Sequence, residues 1–344
     1  VSVLSIAFVC NAQADVLVAG LIKAFEQPVR CAGIPIQSRV GIGLVAFNRD
    51  NVVVSLRTAL SAAQDSRNND AGWAGYDRLS DDAHRRSFQL LSDLPAALEG
   101  RNQLSLVYQP KINFKTGACC GVEALLRWVH PWLGPISPGE FIPMVESTAL
   151  IGPMTEWVIR QAARQLGAWS AQGVGLNMAV NVSPHNLAQG GFMQLVTSIL
   201  DAAKIDPCRL ELEFTEGMLV NHDARVVRTL QSLRDTGVRI ALDDFGTGFS
   251  NLSYLTSMPA DILKLDQSFI RKICTDASTA LLVRTFSELA QKLGYVVVAE
   301  GIEDAESYEL LRSWGCDEGQ GYFMSKPLAA ARVLPWLAGS LPAR

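Results

Sequence analysis

The sequence predicts an α/β protein: a (β/α)8 TIM-type barrel over residues 104–340, a connecting helix over 81–103, and a smaller N-terminal α/β segment over 1–80. Three observations carry this. From residue 105 onward, eight short apolar runs recur within about 230 residues, with helical segments between most of them. The runs are near-continuously apolar, which is the composition of parallel strands buried on both faces. Polar residues gather late in the runs, at the strand ends where barrel enzymes keep their active sites.

Taken in order, "VSVLSIAFV" reads as a strand, "ADVLVAGLIKAFEQ" as a helix, and "IPIQSRVGIGLVAF" as a β-rich stretch. "VVVSLRTALSAAQDSR" has apolar residues at helical spacing, and "GWAGYDR" closes the first block. "LSDDAHRRSFQLLSDLPAALEG" offers Ser80 as a cap, acids in its first turn and Gly100 as a stop. The eight barrel runs are "LSLVYQPKI", "GVEALLRWV", "NMAVNVS", "LELEFTE", "IALDDFG", "ILKLD", "YVVVAEGI" and "GQGYFMSKP". Between them lie helical segments such as "TEWVIRQAARQLGAWSAQG", "FMQLVTSILDAAKI", "ARVVRTLQSLRDTG" and "STALLVRTFSELAQKLG".

Composition narrows the function classes. A formal net charge of −4 over 344 residues argues against a broad footprint for DNA, RNA or an anionic membrane, each of which needs a basic face. An anionic ligand would need positive charge supplied locally, by a metal or by a few placed Lys and Arg. Seven cysteines without paired spacing read as reduced thiols of a cytoplasmic protein. The opening "VSVLSIAFVCNAQAD" has no basic leader, so a buried strand is expected there rather than a secretory signal. No apolar run reaches the roughly 20 residues of a spanning helix.

Several strands carry acids or amides among apolar neighbours: Glu123 in "GVEALLRWV", Asn181 in "AVNVS", Glu213 in "LELEFTE", and Asp243 with Asp244 in "IALDDFG". A buried carboxylate needs a partner. The cations expected on these strands, Arg127 and Lys264, are too few for all the acids. Divalent ions that prefer oxygen donors resolve the imbalance. Glu123, Asn181, Glu213 and Asp243 would make one site, and Asp243 with Asp244 a second. Two ions about 3.5–4 Å apart suit in-line displacement at phosphorus.

Lys264 would orient or help deprotonate an attacking water, unless it pairs structurally with an acid. Glu300 and Gln320, late in the seventh and eighth runs, would complete the polar ring through water contacts. Arg127, four residues after Glu123 and on the same strand face, fits a phosphate oxygen or a salt bridge to Glu123. Two glycines in "FGTGFSN" allow a tight, reshaping loop beside the paired aspartates. The four histidines show no metal-ligand spacing, and neither a nucleophile triad, a P-loop nor a Rossmann glycine pattern occurs.

These residues resemble the EAL-domain family of bacterial cyclic-di-GMP phosphodiesterases, whose name is legible as Glu123-Ala124-Leu125. The resemblance runs over roughly residues 83–340, through "YQP", "FIPMVE", "VNVS", "ELEFTE", "LDDFGTGFS", "LKLD", "AEGIE" and "GCDEGQGYFMSKP". It implies a barrel whose first strand is antiparallel and hydrolysis of cyclic di-GMP to linear pGpG. It also implies dependence on Mg²⁺ or Mn²⁺, two ions per site, with inhibition by Ca²⁺.

By motif match, Glu123, Asn181, Glu213 and Asp243 hold the first ion, and Asp243 with Asp244 the second. Lys264 positions or activates the water, supported by Glu300 and Gln320, while Glu216 anchors the Gly-Thr-Gly loop. Gln109 and Arg127 touch the dinucleotide, and Phe323 and Pro327 pack against a guanine. A homodimer formed beside the "DDFGTGFS" loop is expected. Phe249 and Asn251 depart from the family's usual Tyr and Ser at positions that supply no metal ligand.

Residues 1–80 resemble the rear half of a GGDEF domain without its signature sequence, so cyclase activity is not expected and a regulatory role is. The alternative function is a non-catalytic cyclic-di-GMP receptor signalling through a protein partner. Such receptors lose a motif acid, and here every ligand position is filled.

Overall fold

The computed structural model of the chain describes residues 14–25, 29–31, 34–36, 41–45, 58–60, 62–63, 66, 73–75, 78–100, 102–188, 190–215, 224–246 and 258–339. The chain divides into two compact units, Val1–Asp93 and Leu94–Arg344. In the first, the expected helix is present as Ala14–Phe25. Strands β1 (Val29–Cys31) and β2 (Ile34–Ile36) form an antiparallel pair, and β3 (Ile42–Leu44) runs parallel to β4 (Trp73–Gly75). The strand expected from "VSVLSIAFV", and most of the helix expected from "VVVSLRTALSAAQDSR", lie outside the described residues.

The connecting helix is Arg78–Glu99. It starts ahead of Ser80, so Ser80 is a residue of its first turn and not the cap read from sequence. Its other end falls where glycine predicts, and the Gly100 N–H closes the last turn on the Ala96 carbonyl at 2.9 Å.

The second unit is the barrel. Its strands are β5 (Leu104–Asn113), β6 (Cys119–His130), β8 (Asn177–Asn181), β9 (Leu210–Thr215), β10 (Arg239–Phe245), β11 (Ile262–Leu265), β12 (Val296–Ala299) and β13 (Glu318–Gly319). Each hydrogen-bonds to the next in that order, and β13 returns to β5 to close the ring. β5 is antiparallel to both of its barrel neighbours, and the remaining pairs are parallel. Two short strands sit at the margins: β7 (Gly134–Ile136) pairs with β6, and β14 (Leu328–Ala329) with β5.

Helical spacing of apolar residues makes the outer layer. In Ile151–Ser170 the buried set is Ile151, Met154, Thr155, Val158, Ile159, Ala162, Ala163, Leu166 and Trp169, a single stripe facing the sheet. Asp276 and Asp304 start the helices Ala277–Lys292 and Ala305–Ser313 by accepting from the backbone N–H of Ser278 and Ser307.

The eighth strand is shorter than "GQGYFMSKP" predicts, because only Glu318 and Gly319 are extended. After them the chain presses onto its neighbour. A β-carbon on Gly321 would run into the backbone of Ile302, so only glycine permits the turn that carries Gln320 over the barrel mouth.

Candidate active site

Strand alternation sorts the inward-facing polar residues into two layers, since side chains two residues apart share a face. The upper layer, at the C-terminal ends of the parallel strands, holds Gln109 of β5, Glu123 of β6, Asn181 of β8, Glu213 of β9, Asp243 of β10 and Lys264 of β11. Glu300 and Gln320 follow directly after β12 and β13. Register fixes their heights, with Gln109 opposite Glu123 and Asn181 opposite Glu213.

Their side chains meet. The Lys264 ammonium, 1% exposed, lies 2.6 Å from Glu300 Oε1, 2.8 Å from Glu213 Oε2 and 3.2 Å from Asp243 Oδ1. Glu123 is held from both sides, its Oε1 by the Asn181 amide and its Oε2 by the Gln320 amide, each at 2.6 Å. Gln320 also donates to Gln109 Oε1 at 3.2 Å, and Gln109 to the Ser325 carbonyl at 3.2 Å. Six strands and the residues directly following two more therefore converge on one site, as a hydrogen-bonded group around Glu123 beside an ion-paired group around Lys264. It floors a cavity of about 220 Å³ whose wall includes Gln109, Glu123, Asp243, Lys264, Glu300 and Gln320.

Burial and crowding set the charges. Burial pushes Glu213 well above the ordinary carboxyl range, with Glu123 and Asp243 adding to the rise against Lys264. Burial likewise pushes Glu300 up to about 8 despite its ion pair. Asp244 is raised by burial and by Asp243 and Asp266. In Glu123 the burial penalty is outweighed by Lys264 and the two amide donors, which hold it below its usual value. Burial alone would lower the Lys264 pKa. Asp243, Glu213, Glu300 and Glu123 outweigh that penalty and hold it as an ammonium well above the usual lysine range.

Asp243 and Asp244 owe their geometry to a bulge. Leu242 pairs with Leu263 but Phe245 pairs with Leu265, so β10 spends an extra residue there. Asp244 takes φ 56, the left-handed region that aspartate tolerates better than most residues, and its N–H donates to Asp243 Oδ1 at 2.9 Å. Strict alternation, which would send the two carboxylates to opposite faces, is broken at the mouth.

Among the described residues, no three His, Cys, Asp or Glu side chains converge as a ready-made metal cage. The acids are arranged around Lys264 instead, the structural pairing left open by the sequence. The donor set nevertheless suits a hard divalent ion: carboxylates and amides from separate strands, with one ammonium facing Glu123, Glu213, Asp243 and Glu300. Glu213 Oε1 and Gln320 Oε1 are buried with no hydrogen-bond partner, and Glu213 Oε2 has only the Lys264 ammonium, outside hydrogen-bonding geometry. Buried oxygens without a hydrogen-bond partner at this spot fit an oxygen-seeking cation, although Glu211 Oε2 in the layer below is unpartnered as well.

Other expected residues lie elsewhere. Arg127 does not bridge to Glu123; its guanidinium donates to the Leu126 carbonyl at 2.8 Å. Phe323 rests on Tyr308 at 5.6 Å between ring centroids, Pro327 is half-buried near the end of the same segment, and the aromatic lining the cavity is Tyr322. Glu216 and the loop from Thr247 to Asn251 lie outside the described residues. Gln267, Arg271 and Glu303 line the rim and were not foreseen. The α-helical stretch Gln267–Ile270 begins next to β11, so the signal for Gln267 was its position just past a strand end.

The expectation that Arg127 and Lys264 are the barrel's cations needs correcting. Lys111 of β5 is a further buried lysine, paired with Glu211 of β9 at 2.6 Å in the lower layer. It is legible in "LSLVYQPKI" as a lysine among apolar neighbours, but it lies away from the strand end at which the site gathers.

Residues 91–327 match the family model described as EAL domain. The chain is 43% identical over 320 residues to cyclic di-GMP phosphodiesterase PA2567 of Pseudomonas aeruginosa, covering 92% of this chain and 54% of that protein. It is 35% identical over 321 residues to oxygen sensor protein DosP of Escherichia coli, covering 92% of this chain and 40% of that one. The chain thus spans about half the length, or less, of these curated relatives. Among solved structures, the PaMucR phosphodiesterase in complex with c-di-GMP superposes with TM-score 0.68 at 41% identity, over 71% of this chain and 99% of that one. The EAL enzyme Bd1971 in its cAMP- and cyclic-di-GMP-bound form gives TM-score 0.71 at 31% identity, over 84% and 77%. On fold, site geometry and these matches, the chain belongs to the EAL domain family.

Proposed function

We propose that the barrel hydrolyses cyclic di-GMP to linear pGpG. The observation that carries this reading is the meeting of two polar groups at the barrel mouth, Gln109, Glu123, Asn181 and Gln320 joined by hydrogen bonds and Lys264 ion-paired with Glu213, Asp243 and Glu300, all from separate strands or strand ends. Relatives named for this activity or solved with this ligand support it. EAL phosphodiesterases are metal-dependent in general. Here Mg²⁺ or Mn²⁺ would be held by Glu123, Asn181, Glu213 and Asp243, and a second ion by Asp243 and Asp244. Bound there, the ions would lower the pKa of water and neutralise charge developing on the phosphoryl oxygens.

The chain's own groups have separate tasks. Lys264, held at 2.6–3.2 Å from Glu300, Glu213 and Asp243, would orient the attacking water or help deprotonate it. Glu300, pushed up to about 8, can hold or release a proton near neutral pH at an oxygen 2.6 Å from Lys264. Glu123, kept ionised by two amides and Lys264, stays a fixed anion. Overall, water adds across one P–O3′ bond: its oxygen bonds to phosphorus, the bond to the ribose O3′ breaks, and O3′ gains a proton. Gln109 and Arg127 would contact the dinucleotide, and Phe323 and Pro327 a guanine. Glu216 would anchor the loop beside the paired aspartates.

Further assignments belong to the same reading. Residues 1–80 would be a degenerate GGDEF-like regulatory segment, 81–103 a connecting helix and 104–340 the phosphodiesterase barrel. The working form would be a cytoplasmic homodimer. Five described cysteines are all free, and no described helix is long and apolar enough to cross a membrane. Turnover of cyclic di-GMP with Mg²⁺ tests the function directly. The parent chain should cleave it and Glu123→Ala should not, whereas binding without cleavage by both would favour a receptor.

A further inference from the structure

Beneath the upper layer lies a second polar layer with no place in the chemistry above. Lys111 and Glu211, each 1% exposed, form an ion pair of 2.6 Å across the lumen. Their strands are not neighbours, since β6 and β8 stand between β5 and β9. Both intervening strands present small residues at this height. Gly121 is the register partner of Lys111, and Ala179 that of Glu211, so the lysine side chain can cross. Glu318 lies close enough for its charge to act on Lys111. Arg239 adds a longer contact of 3.9 Å to the other Glu211 oxygen. Buried ion pairs often add no net stability over well-packed apolar residues of similar size. Stability alone is therefore a poor reason for the pair to be there.

Lys111 and Glu211 each stand two positions from an upper residue on the same strand and face, Gln109 and Glu213, and Glu318 stands two positions before Gln320, which directly follows β13. Ladder hydrogen bonds and ring closure set the mean diameter of the barrel, but how far its cross-section can flatten between β5 and β9 is left to the side chains that meet across the lumen. We infer that Lys111 and Glu211 act as a cross-barrel clamp, Lys111 being a positioning residue that holds β5 and β9 so that Gln109 and Glu213 face the same point. The inference rests on the phosphodiesterase reading of the upper layer. Its physical content is that a rigid ion pair about 7 Å below the ligands, two residues of strand rise, limits how far they can spread.

The test replaces both charges with apolar groups of similar size, Lys111→Met together with Glu211→Leu. Melting temperature, Mn²⁺ affinity by titration calorimetry, and cyclic di-GMP turnover are then compared with the parent. The expected variant melts no lower than the parent, binds Mn²⁺ about 10- to 100-fold more weakly, the usual effect of losing support behind a ligand, and cleaves more slowly in proportion at limiting Mn²⁺. Mn²⁺ affinity within about threefold of the parent would overturn the clamp, the scale on which such losses are distinguished. An unfolded variant would overturn it too, because the pair would then serve the fold and not the site. If the parent binds Mn²⁺ but cleaves nothing, the phosphodiesterase reading fails while the titration still decides the clamp. A parent that binds no Mn²⁺ defeats both.

Discussion

Replacing Lys264 with Met removes the one cation that faces three carboxylates at 2.6, 2.8 and 3.2 Å in a position 1% exposed to water. In chelator-treated protein, no other described Lys or Arg is ion-paired with these three carboxylates, Lys111 acting on Glu213 only from the layer below. Breaking a buried ion pair by deleting one partner costs about 3–5 kcal/mol when the other charge is left alone. Carboxyls escape this cost by taking up protons, and Glu213 and Glu300 are already raised in the parent, Glu300 to about 8. A group whose folded-state pKa is raised contributes stability that is complete below its unfolded value near 4.5 and is lost as pH climbs to the folded value. Without Lys264 the folded values move higher still, so the variant's deficit grows with pH. At pH 8 and above, Lys264→Met should lose about 3–5 kcal/mol, or roughly 6–20 °C for a barrel of this size. At pH 5.5, with Glu213 and Glu300 protonated, the loss should shrink to about 1 kcal/mol, the scale of hydrogen bonds forgone. Scanning calorimetry in EDTA across this range measures it. An equal loss at both pH values, or none at pH 8, would refute the assignment of Lys264 as the acids' shared counter-ion.

Three shorter expectations accompany it. Gly321→Ala forces a β-carbon into the Ile302 backbone and should cost about 1–3 kcal/mol or more, read as a lowered denaturation midpoint; an unchanged midpoint would mean the turn can relax. Gln320→Ala removes the donor to Glu123 Oε2 and the link to Gln109, and should weaken Mn²⁺ binding and turnover about 10- to 100-fold, with an effect under twofold counting against the network. Mn²⁺ at 100 times its dissociation constant should stabilise the parent by about 2.7 kcal/mol and leave Glu123→Ala nearly unmoved, whereas equal stabilisation of both would place the ion elsewhere.

Much of the barrel was legible because its strands are buried on both faces. "IALDDFG" and "ILKLD" appear as β10 and β11 nearly residue for residue. The acids stood out for the same reason, as charges in runs that are otherwise apolar. What sequence could not supply was distance across the lumen. The sequence leaves Lys264 either acting on a water or pairing with an acid, and that it meets Glu213, Asp243 and Glu300 at once depends on the closure of the ring. Lys111 and Glu211 are 100 positions apart, and only strand stagger puts them at one height. Alternation also fails where the chain stops being a strand. Past Gly321 the backbone turns, and Tyr322 lines the cavity while Phe323, expected at a guanine from the family resemblance, packs on Tyr308. Ser80 failed as a helix start because the helix extends beyond it to Arg78, and helix boundaries are the least determined feature of any periodic pattern.

The account stands on oxygen donors from separate strands gathering at one point to take divalent cations. Anomalous diffraction from crystals grown with Mn²⁺ measures that most directly. Two peaks are predicted in the barrel mouth, one touching Glu123, Asn181, Glu213 and Asp243 and the other touching Asp243 and Asp244. A mouth without anomalous density, with Lys264 still gripping its three carboxylates at saturating Mn²⁺, would contradict it.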